Sequence, residues 1–442
     1  MARRALILVE GHRSIGLLYV KAAQRLGLHP ITLSTDPVQY DYLAAESLAA
    51  IRVDTDDFDA LIRECARLRA TYHIAGITGF SGLDESIYAT VGKLCRHFDL
   101  PGPDPVSIER CCDKFTQRQF LAAAGIPMPA YRLAEDATEV DSSAMEIGLP
   151  VIVKPAVGSG SCGVRLCRNV DELAEHTAYL LAGERTRESS PRILVEEFAQ
   201  GPQYSADTMG NEVIAVGAAD FDCPPNFVVR GSIFPALLTD CEHKRIAAVS
   251  LSCLSALGLG WGPANIEFRW TERGPVVIEV NPRLPGWTTP RLIQLAYGID
   301  PIGEHLKLVI GEEWDLRRRH WQTAAARFLV PEGDGVLDWI DGDTRAATIP
   351  GVAEVKLYVE PKTRIVRKGD FRDTMGHVIA ASPSRAETEA ILQRAVDLIG
   401  WSITPFHPLA NRSNLRFPHL LATRAGWQLT GNRGAGDQST ER

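Results

Sequence analysis

The sequence of 442 residues predicts an α/β protein that opens with a parallel sheet. Three observations support this fold class. Apolar runs alternate with segments of helical spacing over residues 1–80, which is typical of parallel strands joined by crossover helices. Strand-like runs then dominate from residue 150 to residue 281. The length exceeds what one hydrophobic core usually serves, so we expect several domains.

Charge and composition are those of an ordinary globular protein. The chain carries 47 basic and 55 acidic residues, a formal net charge of −8, which argues mildly against a nucleic-acid or anionic-membrane surface. Nine cysteines occur without paired CxxC units, which fits reduced thiols. The N-terminal apolar run ends after Val9 and resembles a strand more than a signal peptide, and no apolar run is long enough to span a membrane. We therefore expect a cytoplasmic protein with no nucleic-acid and no membrane partner.

The first unit is expected to present loops to a ligand. The segments "RALILVEG", "HRSIGLLYVKAAQRLG" and "HPITLST" have the patterns of strand, helix and strand, and the alternation continues to "HIAGITGF". The loops "EGHRSIG" and "TGFSGLDES" would lie at the carboxyl edge of the sheet, each with a helix N-terminus that can face an anion. The alternative is a packing module that binds nothing.

Breaks in this pattern divide the chain. Prolines and glycine in "LPGPDPVS" end the alternation, and the next segment, "IERCCDKFTQRQFLAAAGIPMPAY", predicts one helix stopped by Gly125 and Pro127. A third unit, from about Trp314 to His407, combines strands with the helix "SRAETEAILQRAVDLIG". The end, "TGNRGAGDQSTER", has almost no apolar residue and is expected to be disordered.

Lys154 lies in the strand-like run "VIVKP", where a charge needs a counter-charge or water if both faces of the strand are covered. It precedes the loop "AVGSGSCGV", whose small residues let backbone amides approach a phosphate closely. Lysine and loop together indicate an anion site. The alternative is a glycine hairpin that follows a surface lysine, because short glycine motifs have many false positives.

Acidic residues occur inside two apolar strands joined by a short turn. In "NIEFRWTERGPVVIEVNPR", the turn brings Glu267 across from Glu279, and a period of two puts Asn281 on the same face as Glu279. Carboxylates gathered in apolar strands repel each other unless a cation lies between them, and a few oxygen ligands on a rigid sheet suit Mg²⁺ bridging nucleotide phosphates. Arg283 follows on that face and can hold a phosphate oxygen. The alternative is an exposed hairpin with solvated glutamates.

The order of five motifs resembles the ATP-grasp superfamily. The motifs are "DKFTQRQFLAAAGIPMP", "VIVKPAVGSGSCGV", "ILVEEFAQGPQYSAD", "NIEFR" and "VIEVNPRLPG". More narrowly, they look like the carboxylate–amine ligases that join amino acids, such as the L-amino acid ligases and dapdiamide-type synthetases. The resemblance covers about residues 1–310 and implies a Rossmann-like preATP-grasp domain, a two-subdomain ATP-grasp fold and a small C-terminal α+β unit. The expected units are residues 1–107, 108–312 with a mobile lid at about 126–200, 313–412, and a tail at 413–442.

The resemblance implies a nucleotide contact for each residue that matches a family motif. Lys114 and Lys154 would hold the α- and β-phosphates, and Glu196 would accept the exocyclic amine of adenine. Gln203 departs from the family, in which many members have a glutamate there for the ribose hydroxyls, although an amide can still bind them without the charge. The other implied contacts are the loop residues Ser159, Gly160, Ser161 and Gly163, and the segment Glu197, Phe198 and Ala199.

The same resemblance assigns the metal ligands and the catalytic residues. Glu267, Glu279 and Asn281 match the ligands of Mg²⁺, which implies ATP and two Mg²⁺ ions as cofactors, with Mn²⁺ as a substitute. Arg283, near the transferred phosphate, and Lys154 would be the catalytic residues.

The implied reaction needs no protein nucleophile. Attack of a carboxylate on the γ-phosphate of ATP gives an acyl phosphate, and attack of an amine on its carbonyl gives an amide, ADP and phosphate. Amino-acid-type substrates, biosynthesis of a small peptide or specialised metabolite, and a homodimer are further expectations. His243 and Trp287 could line the acceptor pocket, although capping and packing are the commoner roles of such residues. Weaker candidates for substrate contact are Glu85, Arg230 and Gly286.

Other functions stay open from the sequence. A ligase for a non-amino-acid carboxylate, or a nucleotide-binding protein without turnover, would share these motifs. Biotin-dependent carboxylases, purine-pathway ligases and carbamoyl phosphate synthetases are disfavoured, because the chain shows no second ATP-grasp copy and no biotinylation-like segment. A dinucleotide-binding oxidoreductase is disfavoured because "EGHRSIG" lacks three spaced glycines.

Overall fold

The computed structural model describes residues 2–80, 85–182, 192–222 and 224–406, and the tail predicted at 413–442 lies outside them. Within these ranges no helix combines the length and apolar character needed to cross a bilayer. The helices are α1 (Gly16–Arg25), α2 (Asp41–Ala45), α3 (Phe58–Arg69), α4 (Ser86–His97), α5 (Pro105–Cys112), α6 (Lys114–Ala123), α7 (Ala137–Ile147), α8 (Val170–Ala182), α9 (Asp240–Leu257), α10 (Thr289–Tyr297), α11 (Pro301–Val309), α12 (Asp343–Ala347) and α13 (Arg385–Asp397). The strands are β1 (Arg3–Val9), β2 (His29–Ser34), β3 (Ala49–Arg52), β4 (Tyr72–Gly79), β5 (Tyr131–Ala134), β6 (Val151–Pro155), β7 (Arg165–Cys167), β8 (Ile193–Glu197), β9 (Gln203–Met209), β10 (Glu212–Phe221), β11 (Val229–Phe234), β12 (Pro263–Thr271), β13 (Gly274–Asn281), β14 (Thr323–Leu329), β15 (Gly335–Asp341), β16 (Val352–Leu357), β17 (Arg364–Ile365), β18 (Gly376–Ser382) and β19 (Gly400–Thr404).

The first unit is the predicted parallel sheet. Its strands lie in the order β3-β2-β1-β4, and every neighbouring pair is parallel. Residues 5–9 of β1 are fully buried, because their side chains alternate between an apolar cluster on one face and another on the opposite face. The second cluster includes Leu306 and Val309 of α11, so this unit packs against the central part of the chain. The predicted fold class is confirmed.

A separate antiparallel sheet lies inside the predicted lid. Its strands have the order β5-β8-β6-β7, and α7 and α8 pack on it around Val140, Val151 and Leu173. β6 carries Lys154 and its neighbour β8 carries Glu196. Residues 158–163, which we call the glycine loop, join β6 to β7 and so lie at the end of this sheet.

The central sheet continues into the C-terminal unit. Its strand order is β13-β12-β9-β10-β11-β14-β18-β16. β11 pairs with β14, so the sheet crosses the predicted boundary at residue 312. The C-terminal unit is therefore hydrogen-bonded to the central unit as well as packed against it, and its loops can reach the face that carries the β12–β13 hairpin. A smaller sheet with the order β17-β15-β19 was not predicted from the sequence.

The helix predicted before the lid is two helices. Asp113 lies between α5 and α6 in an extended conformation, and its carboxylate accepts the backbone N–H of Thr116 at 2.7 Å. Such an N-cap starts a new helix, so the prediction of one continuous helix is wrong. The break makes Lys114 the first residue of α6, where its backbone N–H donates to the Ala156 carbonyl at 2.8 Å.

Candidate active site

A cavity of about 420 Å³ lies between the lid sheet, the glycine loop, the β12–β13 hairpin and the loop after β1. Most of the predicted site residues line it. Of the described residues in the prediction, Gly163, Glu85, Arg230 and His243 do not. Those that line it are Lys114, Lys154, Ser159, Gly160, Ser161, Glu196, Glu197, Phe198, Ala199, Gln203, Glu267, Glu279, Asn281, Arg283 and Gly286.

Lys154 has the counter-charge that its buried position requires. Its Nζ lies 2.5 Å from Glu196 Oε2, and both side chains are at most 5% exposed. Arg118 of α6 binds the other oxygen, with Nε 2.7 Å from Glu196 Oε1, and donates from Nη2 to the Ile278 carbonyl at 2.5 Å. Two cations therefore share one buried carboxylate.

The charges in this cluster shift one another's pKa values. Burial would raise the pKa of Glu196, but Arg118 and Lys154 outweigh burial and lower it, so the carboxylate stays ionised. Burial lowers the pKa of Lys154, with Glu196 acting in the opposite direction. The cluster carries one more positive than negative charge, which favours an anionic ligand beside it.

Lys114 links the glycine loop to the hairpin. Its Nζ lies 2.9 Å from Glu279 Oε1, and it also donates to the Gly158 carbonyl. The two lysines thus reach the same cavity from α6 and from β6, each paired with a different glutamate.

The hairpin places its acidic residues side by side. Glu267 on β12 pairs in register with Glu279 on β13, and Asn281 lies two residues further along β13, opposite Asn265. Burial, followed by the charge of Glu279, raises the pKa of Glu267 to about 7. Burial would also raise the pKa of Glu279, but Lys114 and Lys154 lower it instead.

This donor set fits Mg²⁺. Two carboxylates and one amide oxygen are hard ligands on paired strands, and the repulsion that raises the pKa of Glu267 would be relieved by a divalent cation between the carboxylates. Glu267, Glu279 and Asn281 would hold the ion. Their role as metal ligands stays a prediction.

Gln203 makes a contact that the sequence did not predict. Its Nε2 donates to Glu267 Oε2 at 2.9 Å, across the β9–β12 pair. A glutamate at this position would place another negative charge beside Glu267 and Glu279, whereas the amide donates and adds none. This hydrogen bond explains why glutamine suits position 203. Only the Oε1 atom of Gln203 is then left for the predicted ribose contact.

The glycine loop touches the C-terminal unit. Gly160 and Ser161 have positive φ values of 65° and 62°, and the Gly160 carbonyl accepts the backbone N–H of Phe371 at 3.3 Å. A Cβ atom on Gly160 would lie 2.5 Å from the Phe371 ring, so the close approach requires glycine. Gly163 instead packs near Pro155 and Leu180, which explains why it does not line the cavity.

Arg283 is anchored by Glu85. Its Nε lies 2.9 Å from Glu85 Oε1. Burial would lower the pKa of Arg283, but Glu85 and other neighbours raise it, so the guanidinium stays charged. Glu85 is thus placed to hold Arg283, while Arg283 and Gly286 themselves line the cavity.

Three aromatic side chains, Trp287, Phe328 and Phe371, form a part of the cavity wall that we call the aromatic wall. The Trp287 ring packs on Phe328 with centroids 4.9 Å apart and on Phe371 at 5.8 Å. Trp287 therefore both packs and faces the cavity. Phe328 and Phe371 come from the C-terminal unit, so that unit completes the wall.

Comparisons with known proteins agree with this geometry. A model of the ATP-grasp domain matches residues 147–291, and a model of the L-amino acid ligase C-terminal domain 2 matches residues 327–404. The uncharacterized protein y4rH of Sinorhizobium fredii is 58% identical over 94% of this chain and 87% of that protein. The chain belongs to the ATP-grasp ligases. The predicted resemblance to their L-amino acid ligase type is confirmed, and enzymes of this family use ATP and Mg²⁺.

More distant relatives of the ligase extend the comparison. Carnosine synthase 1 of Mus musculus is 27% identical over 70% of this chain, which spans 40% of that protein. The crystal structure of an L-amino acid ligase from Bacillus licheniformis is 20% identical, covers 91% of this chain and 100% of its own, and superposes with a TM-score of 0.75. The second likeness supports the fold of the ligase.

Two of the weaker predictions lie away from the cavity of the ligase. Arg230 pairs with Asp222 at 2.7 Å and donates to the Val330 carbonyl, so its guanidinium is used by the protein itself. His243 lies in the first turn of α9, which begins at a capping box formed by Thr239 and Glu242. The expected capping role therefore belongs to Thr239 rather than to His243.

The sequence reasoning missed several residues of the ligase site. Arg118 carried a usable signal, because it lies four residues after Lys114 and hence on the same helix face. His12 lies in a loop that was predicted to meet a ligand, but it was not singled out there. Phe328 and Phe371 carried no local signal, because only the continued central sheet brings them to the cavity.

Proposed function

We propose that the chain joins a carboxylate substrate to an amine through an acyl phosphate, with amide, ADP and phosphate as products. The observation that carries the proposal is the convergence of Lys114, Lys154 and Arg283 on a cavity that also holds the paired carboxylates of the hairpin. Such a site can bind a triphosphate and a second anion together. We further propose two Mg²⁺ ions, with Mn²⁺ as a substitute.

In the first step a substrate carboxylate oxygen attacks the γ-phosphorus of ATP, and the bond from that phosphorus to the β-γ bridging oxygen breaks, releasing ADP. Lys114 and Lys154 would bind the phosphates, and Arg283 would stabilise charge on the transferring phosphoryl group. Held by Glu267, Glu279 and Asn281, Mg²⁺ would offset charge on the phosphate oxygens.

In the second step a neutral amine attacks the carbonyl of the acyl phosphate, the bond from the carbonyl carbon to the phosphate oxygen breaks, and the leaving phosphate takes up the proton that the nitrogen loses. Water must be kept out, because it would hydrolyse this intermediate. The glycine loop against Phe371 would close the cavity on the nucleotide side, and the aromatic wall of Trp287, Phe328 and Phe371 would exclude water on the substrate side. This wall also supports amino-acid-type substrates with an apolar side chain.

The biological setting is part of the proposal. We propose a role in the biosynthesis of a small peptide or specialised metabolite, in a homodimer, and in the cytoplasm. The described cysteines are all free thiols, which agrees with a reducing compartment.

The test is a screen of amino-acid pairs with ATP and Mg²⁺. Mass spectrometry would detect a condensed product, and phosphate release would be measured in parallel. The wild-type chain should release phosphate only when both substrates are present. Glu279→Ala should abolish this release, whereas Glu272→Gln, an exposed carboxylate in the turn of the same hairpin, should not. Near-normal turnover of Glu279→Ala would remove the metal assignment, and no product from any pair would reject amino-acid substrates.

A further inference from the structure

His12 lies in the loop between β1 and α1 and lines the cavity beside Arg283 and Gly286. A methyl group on the Gly286 Cα would lie 3.8 Å from His12 Cε1 and 3.9 Å from Nε2. The edge of the imidazole that carries Nε2 therefore faces the stretch of cavity wall at Gly286. Gly286 lies between Arg283 and Trp287 in the sequence, and all three line the cavity, so we assign this stretch of the wall to the substrate.

The protein fixes which ring nitrogen carries the proton. His12 Nδ1 accepts the backbone N–H of Ser14 at 3.2 Å and that of Ile15 at 3.4 Å. A backbone N–H can only donate, so Nδ1 must be unprotonated. The Ser14 hydroxyl, 3.1 Å from Nδ1, can donate to the same atom. The neutral ring consequently carries its proton on Nε2.

The ring is also held neutral. Burial, followed by the charge of Arg283, lowers the pKa of His12 to about 4. A general base needs a free lone pair and a pKa near the working pH, and His12 offers neither, because its only lone pair is used by the backbone. What it offers is one N–H donor. Within the described part of the chain, no atom accepts a hydrogen bond from Nε2.

We propose that His12 is a substrate-binding residue that donates its Nε2–H to an oxygen of the carboxylate substrate beside Arg283. The inference rests on the proposed function and names a further contact in it. An oxygen next to the Arg283 guanidinium carries negative charge, and a neutral donor can orient it without adding a second cation that would need its own counter-ion. His12 thus sets the direction of the carboxylate, and Arg283 supplies the charge.

The competing role is structural, because Nδ1 accepts two backbone N–H groups at the start of α1 as an N-cap side chain does. Two substitutions separate these roles. His12→Asn keeps an acceptor at the place of Nδ1 and removes the donor. His12→Gln can place an amide N–H where Nε2–H lies, but it has no acceptor at the position of Nδ1. His12→Ala removes both.

The experiment uses the full chain with ATP, Mg²⁺ and an amino-acid pair found in the screen. The KM for the carboxylate substrate should rise about tenfold in His12→Asn and His12→Ala and stay within about threefold of wild type in His12→Gln. Binding of ADP with Mg²⁺, measured by calorimetry, should not change in any of them. The control is His29→Ala, which removes an imidazole that stacks on Tyr72 in the same unit and does not line the cavity.

A wild-type KM in His12→Asn together with a raised KM in His12→Gln would assign His12 to the cap and overturn the proposal. A wild-type KM in all three variants would overturn it as well. If the wild-type chain releases no phosphate with any amino-acid pair, the proposed amino-acid substrates are rejected, and this inference is rejected with them. If the wild-type chain turns over and the three His12 variants keep its KM, the inference about His12 is rejected and the proposed function is not.

Discussion

Replacing Arg118 with methionine removes one of the two cations bound to Glu196. Arg118 is fully buried and donates to Glu196 and to the Ile278 carbonyl. A hydrogen bond of a charged group contributes about 1.5–3 kcal/mol, so losing two costs about 3–6 kcal/mol. Removing one partner of a buried ion pair independently suggests about 3–5 kcal/mol. Because Lys154 remains as a counter-charge, we expect the lower end, about 3 kcal/mol.

The assay is thermal unfolding of the full chain. For a cooperative unit of about 200 residues, about 3 kcal/mol lowers Tm by roughly 6–12 °C. The matched control is Arg67→Met on α3, which breaks an exposed pair with Glu64 and should change Tm little. An Arg118→Met chain as stable as Arg67→Met would show that Lys154 alone neutralises Glu196, and would refute the account of the cluster.

Two further substitutions test the hairpin and the glycine loop. Gln203→Glu adds a carboxylate beside Glu267, whose pKa is already raised to about 7, so Glu267 should stay protonated to higher pH. Because a protonated carboxyl is a poor metal ligand, the pH below which Mg²⁺-dependent ADP binding weakens should move upward in calorimetry. Gly160→Ala places a methyl group 2.5 Å from the Phe371 ring and should lower kcat more than Gly158→Ala, which meets no atom within 4 Å.

Controls for these substitutions come from the same chain. Gln393→Glu alters an exposed glutamine that donates to Asp397 at 2.7 Å on α13, and it should leave the pH dependence of ADP binding unchanged. The same pH dependence in wild type and Gln203→Glu would contradict the contact with Glu267. Gly160→Ala and Gly158→Ala both have positive φ, so equal losses of kcat would mean that strain alone matters and that Phe371 does not.

The elements predicted well from sequence are those whose partners are near in the chain. The parallel sheet follows from strands and helices that alternate within a few residues, and the β12–β13 pair follows from one short turn. Lys154 could be identified as needing a counter-charge because its own strand is apolar. Local periodicity carries this information, since it reports which side chains a strand or helix buries.

The elements missed depend on contacts between distant segments. Nothing near Phe371 indicates that it meets Gly160, because Gly160 lies in a loop of the lid sheet and Phe371 belongs to the C-terminal unit, far away in the chain. The identity of the counter-charge of Lys154 was equally hidden, since Glu196 was interpreted as an adenine contact. Asp113 is an exception: as a residue that commonly caps helices, it gave a local signal for the helix break that was not used.

The charges around the cavity affect whether a nucleotide binds alone or together with metal ions. Within the described residues, the cations Lys114, Lys154, Arg118 and Arg283 are paired with Glu279, Glu196 and Glu85, and Glu267 adds a carboxyl whose pKa near 7 leaves it only partly ionised. The charges of these groups therefore largely cancel, and a free triphosphate would meet carboxylates as well as cations. A triphosphate whose charge is offset by divalent cations would enter the cavity at much lower electrostatic cost. Glu267, Glu279 and Asn281 would hold such a cation, and its positive charge would favour the ionised form of Glu267. We therefore expect the hairpin and the lysines to bind the metal–nucleotide complex rather than the nucleotide and the metal separately.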